Sequence, residues 1–339
     1  MAEVRVYLCT YRRNALLRRA VASLQSQTFQ DWVCELHNDD PADPFPGQLV
    51  AGLGDNRISI VVHPANYGPT KTFNLMYDET VSERYVSLLE DDNWWETGLL
   101  ERLTREMGAQ PTMQVAWANM RLWEEMPGGN WRDTGRLAWG GGSSSPILFD
   151  WPHPRQLLGG IHSHGAMLLR TSGIDRLRVP DETPSAIIEC VRERMFRYPI
   201  MLVPEPLANF AITRSTSRGG DRSQWGQCQA LLAASYLRHV RPGPEECRKL
   251  WADARAACPP ATAPLITAGL IDSGARYTLR YSRLMDWIRF AAGFVRRPVS
   301  AARVLRAKAA YPEVWATLNA GTRDANDRAG RLTGSPLLN

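Results

Sequence analysis

Tyr85-Val86-Ser87-Leu88-Leu89-Glu90-Asp91-Asp92 is an uncharged run that ends in three consecutive acids. Its first five residues have the length and composition of a strand buried on both faces. Carboxylates rarely gather at the end of such a strand without a charge to oppose them. Their hard oxygens suit magnesium or manganese, and Mg2+ is commonly held by one or two carboxylates together with substrate phosphates. The stretch therefore predicts a strand whose carboxyl end faces a cation and a phosphate-bearing ligand. That is the chemistry of an enzyme handling a nucleotide-activated substrate.

Strand and helix signals alternate outward from this run. Arg5–Thr10, Trp32–Leu36, Ile58–Val62 and Gln114–Trp117 read as further strands. Between them, Leu16, Leu17, Ala20, Val21 and Leu24 recur at helical spacing after Asn14, a helix-capping residue type. Pro69 can open a helix running to Glu79, and Leu99, Leu100 and Leu103 mark another. Alternation of this kind predicts an α/β fold, a Rossmann-like, mostly parallel sheet flanked by helices. Ligands of such sheets bind beyond the carboxyl ends of the strands. Thr10, Asp39 and Asp92 each fall just after a strand end, so the topology predicts one common rim.

The pattern breaks between residues 120 and 160, a stretch holding Trp123, Trp131, Trp139 and Trp151. Long irregular segments are often functional, and aromatic faces stack on sugars, so acceptor binding and core or lid packing are weighed equally here. Strand signals return at Ala166–Arg170, Ile200–Val203 and Leu207–Ile212, with a helix expected over Ser185–Arg197. Beyond residue 220 only helical signals remain. The expected organisation is a catalytic domain over 1–218, with a nucleotide-binding half at 1–118 and an acceptor-binding half at 119–218, and a helical region over 219–339.

The chain has 339 residues, 44% hydrophobic and 22% charged, with net charge +5. These are ordinary values for a globular protein, and a modest basic excess suits anionic ligands. The six cysteines form no C-x-x-C pair, which speaks against a zinc site or a disulfide framework. No leader segment and no run of about 18 apolar residues is found, so a cytoplasmic protein is expected, peripheral on the inner membrane face if it meets lipid at all.

Several blocks, in order, resemble the family 2 glycosyltransferases of GT-A fold. Val6-Tyr7-Leu8-Cys9-Thr10-Tyr11-Arg12-Arg13 is similar to the opening strand and its P-T-Y-N-R turn. Leu24-Gln25-Ser26-Gln27-Thr28-Phe29 resembles the S-L-x-x-Q-T-Y segment, His37-Asn38-Asp39-Asp40 the V-D-D-G turn, and Asn66-Tyr67-Gly68 with Asn74 the N-x-G…A-x-N block. Glu90-Asp91-Asp92 takes the place of D-x-D, and Pro204-Glu205-Pro206-Leu207-Ala208 resembles the late P-E-x-L-A strand.

The resemblance implies transfer of a sugar from a nucleotide-sugar donor to an acceptor hydroxyl with Mn2+ or Mg2+. UDP is the expected nucleotide, with dTDP and GDP open. The acceptor classes implied are carbohydrate, lipid-linked or small-molecule, as in polysaccharide, cell-envelope or secondary-metabolite glycosylation. No nucleic-acid partner is implied. Metal ligands are expected at Glu90, Asp92 and His164. Donor contacts are expected at Thr10, Arg13, Asp39, Asn66, Lys71, Asp91, Arg214 and Arg218, the last two on a segment that could close over the phosphates.

An inverting transfer needs a base, in the family often the Asp of an E-D pair. Counting back from Pro204 puts that pair at Ser185-Ala186, neither of which is a base. Asp181, Glu182 and Glu189 are the acids near enough to serve. Without a base, the chain would be a retaining enzyme or a non-catalytic sugar-nucleotide-binding module. A nucleotidyltransferase is the other alternative, although the glycine-rich loop it commonly has after the first strand is missing. In the C-terminal region, Tyr281, Leu284, Met285, Trp287 and Ile288 stand among arginines. The expectation is a helix packed by its apolar face with its basic face in water; an anionic membrane surface and a homodimer through these helices are the alternatives.

Overall fold

The computed structural model describes residues 2–78, 80–140, 145–214, 222–258 and 260–333. The chain forms two compact units. The first comprises residues 1–150, 162–178 and 196–216; the second comprises 151–161, 179–195 and 217–339.

The first unit is built on a ten-stranded sheet. Its amino-terminal half runs β1 (Val4–Thr10), α1 (Asn14–Gln25), β2 (Trp32–Asn38), α2 (Phe45–Leu53), β3 (Ile58–Val62), α3 (Gly68–Asn74), β4 (Tyr85–Glu90), β5 (Trp94–Trp95) and α4 (Leu99–Ala109). Then come β6 (Val115–Glu125), β7 (Trp131–Leu137), β8 (Ile147–Phe149), β9 (Met167–Arg170) and β10 (Ile200–Ile212). The spatial order is β3-β2-β1-β4-β9-β6-β10-β5, with β7 on β6 and β8 on β10. Strands β1 to β4 pair in parallel, as do β6 and β10, while β9 is antiparallel to both its neighbours. The core is the buried side chains of these strands with the inner faces of α1 and α4: Val6, Leu8, Leu17, Leu24, Leu36, Leu89, Leu103 and Met201 among others. The expected mixed, mostly parallel sheet flanked by helices is what the chain forms.

Several local expectations shift. Asn14 begins α1 and does not cap it; the capping position is Arg13. The helix opened by Pro69 stops at Asn74. The stretch read as irregular from 120 contains the rest of β6 and the β6–β7 hairpin, because its alternation is broken by tryptophans and arginines that face partly to water. The two strands expected at 200–203 and 207–212 are one strand, β10. Pro204 and Pro206 have no N–H to give the ladder, so the register shifts twice beside β6, between Val203 and Pro206 and between Pro206 and Ala208. Asn119 fills the gap: its amide donates to the carbonyls of Trp139 and Pro204 at 3.1 and 3.2 Å.

In the second unit the long helix expected over Ser185–Arg197 is a 3-10 turn at Ser185–Ile187 followed by α5 (Ile188–Glu193). The rest is α6 (Arg222–Val240), α7 (Pro244–Ala256), α8 (Thr262–Ile271), α9 (Leu284–Arg296), α10 (Pro298–Leu305), α11 (Ala307–Ala310) and α12 (Pro312–Thr333). Three of these helices open on proline, whose fixed φ and missing N–H suit a first helical position. Helices α6 and α12 are joined by Ser235, whose hydroxyl donates to the Leu318 carbonyl at 3.0 Å and lies 2.9 Å from the Thr322 hydroxyl. Buried Asp272 is held by Arg238 at 2.9 Å and Lys308 at 2.6 Å. These two cations hold Asp272 below its ordinary range despite its burial. No helix among the described residues is long and apolar enough to cross a membrane.

Candidate active site

Register alone brings the expected residues together. Cys9 of β1 lies beside Glu90 of β4, so the next residues on each, Thr10 and Asp91, meet at the strand ends. Thr10 Oγ1 donates to Asp91 Oδ2 at 2.9 Å, and the Tyr11 N–H approaches the same oxygen at 3.3 Å. Arg13 reaches back from the same turn, 3.5 Å from Asp91 Oδ1 and in an ion pair with Asp92. Asn38 of β2 lies beside Val62 of β3, which sets Asp39 next to His63 by the same logic. The Asp39 N–H donates to the Thr10 carbonyl at 3.0 Å. Thr10, Asp39, Asp91 and Asp92, far apart in sequence, thus share one rim of the sheet.

The turn between β1 and α1 is unusual. Arg12 adopts a left-handed backbone, φ +56°, a conformation costly for a side chain with a Cβ. Its guanidinium is 2.5 Å from Asp40 Oδ2, which holds the Asp40 carboxyl below its ordinary range. Asp39 is buried, and both its oxygens are engaged. Oδ1 accepts from His63 Nδ1 at 2.8 Å and from the Tyr67 N–H at 2.7 Å; Oδ2 accepts from the Gly68 N–H at 2.9 Å. The far nitrogen of His63, Nε2, lies 3.1 Å from His37 Nδ1, and His37 Nε2 lies 3.3 Å from Glu35 Oε2. Gly68 has φ +75°, and this left-handed step lets two successive N–H groups point at one carboxylate.

The acids differ in their surroundings. Asp91 is buried, and burial first and the nearby Asp92 second push it up to about 7, although Arg13, Thr10 and the Tyr11 N–H pull the other way. Asp92 is half-buried at the rim. Glu90 accepts from Asn93 Nδ2 at 2.6 Å, and Asn93 in turn accepts from the Ala211 N–H at 2.9 Å, tying the acidic turn to β10. Behind Asp92 stands Arg19, whose guanidinium lies over the rings of Trp94 and Trp131 at 3.7 and 4.4 Å. It donates to the Asp92 carbonyl at 2.8 Å. Its burial lowers it to about 10.

The remaining expected residues are placed as follows. Asn66 and Lys71 are exposed at the start of α3 and on it. The Arg214 side chain is exposed, and its N–H donates to Glu125 at 2.8 Å. Arg218 lies outside the described residues. His164 is buried, with the Phe73 ring edge-on at 6.0 Å and the His162 ring at 5.4 Å. Among the described residues, no three or more His, Cys, Asp or Glu side chains gather as a metal site, so Glu90, Asp92 and His164 do not form a ready-made ligand set. In the second unit, Asp181 is exposed and Glu189 is half-buried in the first turn of α5. Glu182 Oε1 accepts from the Glu313 and Val314 N–H groups at 2.9 and 3.3 Å, a cap on α12.

Three residues at this rim escaped sequence reading, Arg19, Trp94 and His63, while Trp131 was weighed equally between acceptor binding and packing. Arg19 looks like any exposed helix arginine, and Trp94 looks like packing. His63 was legible in principle, because it directly follows a strand that pairs with the strand leading to Asp39. Of the other tryptophans, Trp123 donates to Asn209 Oδ1 at 2.7 Å and the Trp139 ring is tilted 50° against that of Phe149, centroids 4.7 Å apart, both within the first unit.

Residues 5–172 match the sequence model described as glycosyl transferase family 2. No curated protein matches the chain. Among solved structures, residues 1–349 of TarS from S. aureus align with a TM-score of 0.53 at 13% identity, covering 98% of this chain and 92% of that one. The same TarS fragment in complex with UDP gives identical figures, and in complex with UDP-GlcNAc the identity is 12%.

Proposed function

Residues 5–172 place this chain in glycosyl transferase family 2 as a glycosyltransferase of GT-A fold, and from that premise we propose that it moves a sugar from a UDP-sugar to an acceptor hydroxyl with a divalent cation and inversion at the anomeric carbon. The observation that carries the reading is the single rim on which Thr10, Asp39, Asp91 and Asp92 converge, since ligands of such sheets bind beyond the strand ends. Asp39, held by the Tyr67 and Gly68 N–H groups, would take the nucleotide base, with Asn66 beside it. Thr10, Arg13, Asp91, Lys71 and, from the following segment, Arg214 and Arg218 would serve the donor.

The acids at the end of β4 fit a cation. They are hard oxygen donors, and Asp91 is driven to about 7 by its burial and by Asp92, a crowding of negative charge that one Arg13 does not relieve. Asp92, half-buried at the rim, would hold the ion with the donor's phosphates, in the manner of sites that use few protein ligands. Glu90 and His164 would act from behind it. When bound, the cation supplies positive charge for the departing diphosphate.

In the transfer, the acceptor oxygen bonds to the anomeric carbon and the bond from that carbon to the diphosphate oxygen breaks. The nucleoside diphosphate leaves with the electron pair. The acceptor proton passes to a carboxylate, for which Asp181, Glu182 and Glu189 are the candidates. Glu182 already caps α12, so Asp181 and Glu189 are tested first.

Calorimetry with a panel of nucleotide sugars, with and without Mn2+, tests the reading. Metal-dependent binding of one donor, abolished in Asp92→Ala, is the expected result. Binding indifferent to both metal and Asp92 overturns it. Full turnover in all three single variants of Asp181, Glu182 and Glu189 overturns the inverting assignment.

A further inference from the structure

We propose that α9 and α10 form a face that lies on an anionic lipid surface. Sequence reading expected the apolar side of this region to be turned inward, and the structure turns part of it outward. Leu284, Ile288 and Val295 are 78%, 50% and 83% exposed. They stand at i, i+4 and i+11 of one helix, with exposed Ala291 at i+7, and so form one stripe. Met285 at 53% widens it, and Val299 at the start of α10, 66% exposed, extends it. Isolated exposed aliphatics are ordinary on a folded protein, but a continuous stripe is a contact surface.

The outward orientation is fixed from behind. Asp286, on the opposite side of α9, is buried and paired with Arg255 at 3.0 Å. It also accepts from the Arg283 N–H at 2.8 Å, closing the first turn. Trp287 is half-buried and donates to Ser282 Oγ at 2.8 Å. Phe290 and Phe294 follow on that side, their rings 5.3 Å apart. Rotating the stripe inward would expose an aromatic row and break an ion pair.

The charge pattern decides the occupant. From residue 287 to 312 the chain has six basic residues, Arg289, Arg296, Arg297, Arg303, Arg306 and Lys308, and no acidic one. The five arginines are exposed. A second copy of this chain would bring the same positive charge to the contact. An anionic bilayer brings the opposite charge and receives the aliphatic stripe at the level of its headgroups. A helix of this length lies in that interface and does not cross it.

Flotation of the full chain with phosphatidylcholine vesicles, and with vesicles that also contain phosphatidylglycerol, tests the proposal. Binding to the mixed vesicles only, weakened by added salt, is expected. The double variant Ile288→Asp/Val295→Asp should lower the partition coefficient by more than roughly tenfold, since each buried methylene contributes to such binding. Arg289→Gln/Arg296→Gln should weaken it severalfold. Both pairs are exposed, and an unchanged melting temperature verifies that the fold is kept. No vesicle binding, binding equal on neutral and anionic vesicles, or binding unaffected by the aspartates overturns the proposal. Sedimentation showing a dimer that the aspartates dissolve, with no vesicle binding, assigns the face to a second copy instead.

Discussion

Thr10 Oγ1 and Asp91 Oδ2 are 2.9 Å apart, a hydrogen bond from the last residue of β1 to the turn that follows its parallel neighbour β4. The bond does not keep Asp91 acidic. Burial and Asp92 raise it to about 7, against roughly 3.9 in an unfolded chain. Between about pH 4 and pH 7 the folded protein therefore holds a proton that the unfolded chain has released. The stability tied to that proton is complete below the unfolded value and is lost as pH rises through the folded one. The melting temperature of the ligand-free protein should fall from pH 5 to pH 8 for this reason. Asp91→Asn keeps the shape and an acceptor for Thr10, and it should flatten that part of the slope. Equal slopes in thermal scans of both proteins would refute the assignment.

Arg13 is the counter-ion that makes two adjacent carboxylates tolerable when no cation is present. Its removal leaves Asp91 and Asp92 facing each other in a half-buried turn. Arg13→Ala should cost about 1–3 kcal/mol, less than for a fully buried pair because Arg13 and Asp92 retain some contact with water. Manganese should restore more stability to the variant than to the parent. The measurement is the shift in melting temperature with Mn2+ for each protein. Equal shifts would mean that the cation does not take over the charge that Arg13 neutralises.

His63 holds one oxygen of Asp39 from behind, while the Tyr67 and Gly68 N–H groups hold the carboxylate from the side of α3. Without the imidazole, Asp39 keeps its backbone partners but can turn in its socket. His63→Ala should weaken donor binding by about tenfold, roughly 1.4 kcal/mol. It should act on KM and leave kcat nearly unchanged, because the base lies away from the reacting bond. His37→Ala, one hydrogen bond further out, should give a smaller effect in the same direction. A fall in kcat with KM unchanged would remove His63 from nucleotide recognition.

Strands β1 to β4 were legible because each is a short, largely apolar run with a polar residue at or just past its carboxyl end. Ile58–Val62 matches the structure residue for residue, and Thr10, Asp39 and Asp92 followed from the same signal. What sequence periodicity does not carry is position across a sheet. Arg19 is one helical residue among several arginines until the β5 and β7 tryptophans close on it. His63 gains meaning only from the β2–β3 register. The orientation of α9 was misread because both of its faces are apolar, one aromatic and one aliphatic. The choice between them is made by a buried ion pair, Asp286 with Arg255, whose members are far apart in the chain. The proline-bearing part of β10 was split in two for a similar local reason, since a strand that loses two donors looks like a loop until its neighbour is known.

Gly165 links the last strands of the sheet to the acidic turn. A Cβ there would stand 2.9 Å from Glu90 Oε2 and 3.0 Å from Asn93 Nδ2. Those two atoms already hydrogen-bond to each other at 2.6 Å, and Asn93 is anchored to Ala211, so neither can withdraw without breaking a bond. The Gly165 carbonyl is also fixed, accepting from Trp95 Nε1 at 2.7 Å. Gly165→Ala should therefore displace Glu90 and Asn93, and with them the turn that carries Asp91 and Asp92. The expected cost is about 1–3 kcal/mol of stability from overpacking. Turnover should fall by about tenfold or more, because positioning errors of a fraction of an ångström already tell on transfer chemistry. Gly52→Ala, where nothing lies within 4 Å of the added methyl, is the control and should leave turnover unchanged. Thermal melts with steady-state rates on both variants check this. A Gly165→Ala enzyme that is less stable but fully active would show that Glu90 and Asn93 do not position the acids.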